Sequence, residues 1–334
     1  MAGTATRLRP ITNHKPKALV EVAGIPVLQH IMLNLAQNGI NEIVLVVGHL
    51  KDKVTEWLVD NFSHRFKLHF VVQKELLGLG HAIYQAAEYL DDEEVLVMLG
   101  DEIFSKNYSK MIEDCKQDTD IDAAVGTMVV KDPTHYGMLK VGNTGYVSLM
   151  IEKPKEFDGN LALAGAYYFK RGRDLLRALH YIITQERKGK EYQLTDALQY
   201  LVETGAKIVT FAVGEGYDCG RPESLLLSNR RMLFNKHYID KTAVIEASEI
   251  IEPCHIGPGA RVINSKIGPY ASIGQNATIE DSVLSDVIVE SDTFVQERSA
   301  SDAIISGNAI IQLKESTETI ITRFEREASH TQID

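Results

Sequence analysis

The sequence predicts an α/β domain with a doubly wound, mostly parallel sheet, followed by a short triangular parallel β-helix. Three observations predict it. Short apolar runs alternate with helically spaced apolar residues through the first two thirds of the 334-residue chain, the pattern of successive βαβ units. Beyond residue 236 the period changes to six. The composition, 44% hydrophobic and 24% charged with 9 Pro and 24 Gly, is that of a chain that buries a core and is neither disordered nor fibrous.

Taken in order, Ile43 to Val47, Leu68 to Val72, Val95 to Leu99 and Ala123 to Val130 read as strands. Pro26 to Asn38 and His81 to Leu90 carry apolar residues at helical spacing. From Met138 to Phe169 the strand-like runs crowd together: Met138 to Val141, Tyr146 to Ile151 and Leu163 to Phe169 form a β-rich addition to the same domain. Helices over Asp174 to Gln185 and Leu194 to Glu203, a strand Lys207 to Val213 and a helix Pro222 to Phe234 complete a first domain over residues 1–236.

Residues 241–313 carry the repeat. Val244, Ile250, Ile256 and Val262 fall six apart; after a one-residue slip, Ile267, Ile273 and Ile279 do so again. Ile256, Ile267 and Ile273 each begin an aliphatic-Gly-x-x-Ala pentapeptide. One inward aliphatic per hexapeptide, with a small residue at the corner, marks a triangular β-helix, here of about three coils. The polar tail, residues 314–334, reads as a short helix or unstructured chain.

Charge and cysteine usage bound the function. With 46 acidic against 35 basic side chains the net charge is −11, which argues against nucleic acid or anionic membrane as a partner held by summed charge. No apolar run approaches the ~18 residues of a membrane span, and residues 1–20 lack the apolar core of a secretory signal. Cys115, Cys219 and Cys254 are far apart and without metal-ligand spacing, as expected for reduced thiols in a cytoplasmic protein.

Against that acidic background, residues 1–20 hold Arg7, Arg9, His14, Lys15 and Lys17 and no Asp or Glu. Gly3, Thr4, Ala5 and Thr6 keep the backbone closely approachable, so small residues and fixed cations together fit a polyphosphate; a frayed basic terminus is the plainer alternative. No Walker loop and no dinucleotide fingerprint is present. Asp101 follows Leu99-Gly100 at the end of an apolar strand, and Asp218 lies between a strand and a helix. Two carboxylates at strand ends suit one Mg²⁺, which takes one or two carboxylates plus phosphate oxygens. Each alone is also a common turn or N-cap residue.

These motifs together resemble the sugar-1-phosphate nucleotidyltransferases, in particular the glucose-1-phosphate thymidylyltransferase-like members with a C-terminal left-handed β-helix and a Rossmann-like nucleotide-diphospho-sugar transferase domain. Ala2 to Pro10 looks like the family's glycine-rich triphosphate loop and Lys15-Pro16-Lys17-Ala18-Leu19 like its lysine motif. The resemblance implies that Gly3, Thr4 and Arg7 hold the phosphates and that Lys17 braces the reacting centre. Gln73 and Gly78 are similar to the pair that reads a pyrimidine base. Leu99-Gly100-Asp101 and Asp218 look like the two metal-binding motifs, so Mg²⁺ is the implied cofactor. Tyr136-Gly137, Glu152-Lys153-Pro154 and Gly165-Ala166-Tyr167 resemble the sugar-phosphate site, with Gly137 and Glu152 on hexose hydroxyls and Lys153 on the phosphate.

Two departures accompany the resemblance. The chain opens with the loop, without the apolar first strand of the family, and the expectation is a start assigned too late. Ala5 stands where the second loop glycine is usual, and its methyl disfavours positive φ. The implied substrates are a nucleoside triphosphate, dTTP or UTP favoured, and a hexose 1-phosphate, glucose 1-phosphate favoured. The β-helix implies a homo-oligomer. Two other readings stay open: a non-catalytic regulatory or structural subunit, and a bifunctional enzyme whose β-helix transfers acyl groups, with His255 as the only histidine of the repeats.

Overall fold

The computed structural model describes residues 6–105, 108–185, 191–307 and 309–313, and the backbone of the strand Thr319–Arg323. Gly3, Thr4 and Ala5, and with them the glycine loop, lie outside the described residues. By internal contact the chain divides into two compact units. One holds His30–Gly216; the other holds the described residues of Ala5–Gln29 and Tyr217–Asp334.

In the first unit the strands Glu42–Val47 and Lys67–Val72 pair in parallel. A larger sheet runs in the order Ile208–Ala212, Ala123–Val129, Leu161–Phe169, Gly137–Val141, Val147–Glu152, with Val95–Met98 also paired to Leu161–Phe169. Only its first two strands are parallel; Leu161–Phe169 is antiparallel to all three of its neighbours. The sheet is therefore mixed rather than mostly parallel. Residues 142–146 are too short for a crossover, which forces the strands they join into an antiparallel hairpin.

Helices pack stripes of apolar residues onto this framework. Gly172–Thr184 buries Leu175, Ala178, Leu179 and Ile182 on one face, and Leu194–Glu203 buries Leu194, Ala197, Leu198 and Leu201. These join Val125, Leu139, Leu163 and Phe169 in one core. The stretch expected as a helix over 81–90 forms a short helix, Leu79–Tyr84, and a 3₁₀ turn, Ala87–Tyr89. Two further helices carry too few apolar residues at helical spacing to stand out in the sequence. Lys51–Phe62 shows only Val54, Leu58 and Phe62 as a thin stripe four residues apart, and in Ser109–Gln117 the buried residues are just Met111 and Cys115.

The second unit contains a parallel β-solenoid. Ile239, Ile256, Ile273, Val289 and Ile305 pair one above the next, 17 residues apart in the first two steps and 16 in the last two. Ile245, Val262, Ile279 and Val295 form a second column, and Ile250, Ile267, Leu284 and Ala300 a third. About four coils result. Val244, expected inside, pairs with Arg261 while Ile245 stacks on Val262: the one-residue slip belongs to the same side of every coil. From Leu284 onward a second side also shortens to five residues, which is why the period fades there. The corner alanines Ala260, Ala271 and Ala277 are fully buried.

One corner repeats a left-handed residue at Ala247, Asn264, Asp281 and Glu297, with φ between 46° and 49°. Inside that turn Ser248, Ser265 and Ser282 each accept from the backbone N–H of the next coil at 3.0–3.1 Å, so hydroxyls, those of the buried Ser265 and Ser282 among them, satisfy backbone donors. Ala309–Leu313 folds back antiparallel on Ser299–Ser306, and Thr319–Arg323 pairs antiparallel with it in turn; residues 319–323 thus form a strand where a short helix or no structure is expected.

Candidate active site

In the first unit three groups of the expected residues come together. Gln73 follows the strand Lys67–Val72 and is buried, its amide Nε2 3.2 Å from Gly78 O and 3.0 Å from His81 Nδ1. Gly78 has φ of 102°, and a Cβ there would fall 2.6 Å from Tyr192 O. Only glycine fits that turn.

At the end of Val95–Met98, Leu99 N donates to Gly165 O at 2.8 Å, and a Cβ on Gly165 would strike the Leu99 side chain at 2.6 Å. Glu102 Oε2 accepts from Gly165 N at 3.0 Å. The segment carrying Asp101 is therefore pinned from both sides to the strand that carries Tyr167. Glu102 belongs to no motif, and the sequence marks it only as a second acidic residue after Asp101.

Gly137 and Glu152 are register partners across the hairpin. Glu152 Oε2 accepts from Thr195 Oγ1 at 2.5 Å, and its Oε1 lies 3.2 Å from Lys153 Nζ. A Cβ on Gly137 would meet Thr195 Oγ1 at 2.9 Å and Glu152 Oε2 at 3.1 Å, so the glycine clears the carboxylate. Lys153 is held at φ 43°, a conformation rare for a side chain of its size and enriched at functional sites. Burial, then the charges of Glu102 and Glu152, push the Tyr167 phenol well above its ordinary range, so it stays a neutral donor. Thr195 arrives from a helix over forty residues downstream, and no local spacing announces it.

The second unit holds the remaining residues. Arg7 is exposed on the 3₁₀ turn Thr6–Leu8, which Leu8 anchors in the core. Lys17 Nζ and Asp218 Oδ1 both crowd Gly220: a Cβ there would sit 3.2 and 2.8 Å from them. Asp218 Oδ1 accepts from Gly220 N at 2.7 Å, and Asp218 O accepts from Ser228 Oγ at 3.0 Å. The structure thus brings a predicted cation and a predicted metal carboxylate together. Two residues before Lys17, Lys15 Nζ lies 3.3 Å from Glu21 Oε1 and 3.0 Å from Glu290 Oε1, with Ser306 donating to Glu290. Burial pushes the Glu21 carboxyl up, Lys15 pulls it back, and the charge of Glu290 adds to the rise. Burial also draws Lys15 down, yet Glu290 and Glu21 together outweigh it and hold Lys15 above 10.5.

Two features of the solenoid look reactive and are packed instead. Cys254 Sγ lies 3.4 Å from His237 Nδ1, and His237 Nε2 3.6 Å from Glu252, but Cys254 has no exposed surface. Burial, then Glu252, pushes its thiol up to about 11, the reverse of what a nucleophile needs. His255 stacks on Tyr238 with ring centroids 4.9 Å apart and lies where a Cβ on Gly24 would be, 2.2 Å away. Among the described residues no group of three or more His, Cys, Asp or Glu is placed to hold a metal ion.

The family model "Nucleotidyl transferase" matches residues 1–233. The chain belongs to the nucleotidyl transferase family. Among similar proteins are the low-salt glycan biosynthesis nucleotidyltransferase Agl11 of Haloferax volcanii, 31% identical over 86% of this chain and 85% of that one, and a glucose-1-phosphate thymidylyltransferase of Streptomyces antibioticus, 32% identical over 84% and 78%. A UDP-glucose pyrophosphorylase crystallised with UDP-glucose shares the fold, with a TM-score of 0.63 at 24% identity over 70% of this chain and 97% of that one. No helix among the described residues of this nucleotidyltransferase is long and apolar enough to cross a membrane.

Proposed function

We propose that this nucleotidyltransferase joins a hexose 1-phosphate, glucose 1-phosphate favoured, to the nucleotidyl group of dTTP or UTP, releasing pyrophosphate. The observation that carries the reading is the group Gly137, Glu152, Lys153 and Thr195: a carboxylate of the kind that binds sugar hydroxyls, placed beside an ammonium suited to a phosphate. The names of similar proteins, glucose-1-phosphate thymidylyltransferases among them, support it.

In the reaction an oxygen of the sugar phosphate forms a bond to the α-phosphorus, and the bond from that phosphorus to pyrophosphate breaks. The attacking phosphate is already anionic, so the protein needs no nucleophile or base and works by bringing two anions together in line. Lys153 holds the sugar phosphate, Arg7 the outer phosphates of the triphosphate and Lys17 the reacting phosphorus. Glu152, fixed by Thr195, orients the sugar. Asp101 and Asp218 would hold Mg²⁺, which supplies further screening of phosphate charge when bound; Asp218 spends one oxygen on Gly220 N–H and offers the other as a hard donor. Three buried free cysteines support a reducing, cytoplasmic setting, and the exposed Val283 and Phe294 on the outer faces of the solenoid support a homo-oligomer.

The test is pyrophosphate release with Mg²⁺, glucose 1-phosphate and each of dTTP, UTP, CTP, ATP and GTP. Release with dTTP or UTP is expected; silence with all five overturns the reading.

A further inference from the structure

Gln73 is a symmetric-looking group with two opposite faces: its amide nitrogen only donates and its oxygen only accepts. Which face it offers to a ligand decides what it reads. One partner settles the matter. Gly78 O, 3.2 Å away, is a backbone carbonyl that also takes the Ala82 N–H, and it has no donor to offer. The Gln73 atom beside it must therefore be nitrogen.

The same nitrogen stands 3.0 Å from His81 Nδ1, so Nδ1 must accept, and a neutral imidazole that accepts at Nδ1 carries its proton on Nε2. The Gln85 side-chain amide lies 3.1 Å from that Nε2. Two donors cannot face each other, and the oxygen and nitrogen of an amide are told apart only by their network. The Gln85 oxygen therefore faces Nε2. The competing 3.4 Å contact from Gln85 to His81 O is long for a hydrogen bond.

Both Gln73 N–H groups are then spent. Its oxygen meets no donor among the described residues, and it keeps a solvent-facing surface, since among those residues Tyr168 Oη is the only fully buried side-chain oxygen or nitrogen without a partner. Tyr192 backs the His81 ring, with centroids 6.5 Å apart and planes inclined by 27°.

The geometry points to His81 as the positioning residue that fixes Gln73 as an acceptor and so sets the base preference. This rests on the proposed reaction. An acceptor-only Gln73 matches a base whose ring edge carries N3–H, as uracil and thymine do. It opposes the bare N3 of cytosine, and a polar site facing the wrong partner discriminates far more than a methyl group does.

The test is the ratio of kcat/KM for UTP or dTTP to that for CTP, with glucose 1-phosphate, in the full chain and two variants. His81→Leu removes the acceptor and frees the amide to turn, and the ratio should fall at least about tenfold. His81→Asn, whose amide oxygen takes the place of Nδ1, should keep it within about threefold. A merely structural role would lower all nucleotides together and leave the ratio unmoved. If His81→Leu does not fold, Gln85→Leu, which releases the tautomer, should lower the ratio about threefold. An unchanged ratio in the variant that folds overturns the inference. Absence of turnover with every pyrimidine in the unaltered chain instead overturns the proposed reaction, and calorimetric binding of UTP against CTP then reads the same ratio without catalysis.

Discussion

In the solenoid each inward aliphatic meets its counterpart one coil away, 16 or 17 residues along the chain, whereas in the α/β unit Leu99 meets Gly165 and Glu152 meets Thr195. The first kind of contact is repeated and interchangeable. The second is singular: no neighbour copies it, and losing it leaves nothing equivalent. Stability should therefore be spread evenly through the coils, while chemistry should hang on a few residues whose loss hardly affects folding.

The sharpest way to break that contrast is Asp101→Asn. It replaces one carboxylate of intermediate exposure in a turn, and turnover should fall at least about 10²-fold by analogy with removing one preorganised electrostatic partner. The unfolding midpoint should stay within the ~0.5 kcal/mol range of surface changes. A large loss of stability with activity kept would place Asp101 in the framework instead.

The mirror experiment is Ile273→Ala. Ile273 has no exposed surface and sits between Ile256 and Val289, so truncation should cost about 3 kcal/mol, read by denaturant unfolding. In folded protein kcat should be retained. A fall in kcat matching that of Asp101→Asn would remove the division of labour.

The two regions also differ in how far their sequence discloses them. The solenoid columns are local, so aliphatics at Ile256, Val262, Ile267, Ile273 and Ile279 were readable, and the error at Val244 came from fitting a uniform six to coils whose sides are six and five. In the α/β unit strands and long amphipathic helices were equally plain, but strand direction was not: the antiparallel setting of Leu161–Phe169 depends on its neighbours. Lys51–Phe62 escaped because three apolar residues make a faint stripe. At the site, glycines and charges that recur in motifs were legible. Thr195, Glu102 and His81 were not, because each matters through a partner brought to it by the fold.

A third prediction tests a contact that belongs to neither kind, the buried cluster of Lys15, Glu21 and Glu290. Lys15→Met leaves two carboxylates without their cation; their side chains are only 7% and 2% exposed, while that of Lys15 is 27% exposed, so a loss of about 2–3 kcal/mol is expected. The sign with pH follows from Glu21. A carboxyl raised in the folded state contributes stability that is complete below its ordinary value of 4.5 and is lost as pH rises through the higher folded value. Without Lys15 that rise grows, so the deficit of the variant should be larger near neutral pH and shrink toward pH 4.5. Above 10.5 the unaltered protein loses the Lys15 contribution as pH climbs through its raised value, and the two proteins should converge. Unfolding midpoints measured in parallel cancel the titration of every other group; a deficit independent of pH would mean that Lys15 acts by packing alone.

The smallest expected effect is at Arg230, on the helix Pro222–Leu233. Its Nε lies 2.7 Å from Asp286 Oδ1 and a terminal nitrogen 3.3 Å from Asp302 Oδ1, and its guanidinium is 5.8 Å from the Tyr270 ring centre. Tyr270, Asp286 and Asp302 occupy one corner of successive coils, each with φ between 50° and 59°, so one side chain clips three coils at once. Yet Arg230 is 45% exposed and Asp302 50%, where water screens each pair to a few tenths of a kcal/mol up to about 1. Arg230→Ala should therefore cost about 1 kcal/mol, and 1 M salt should erase most of the difference. Arg230→Lys should recover only part, because an ammonium cannot reach both carboxylates as a fork does. A loss above about 3 kcal/mol would show that the coils lean on this one clip, and the repeat would then not be the main source of their stability.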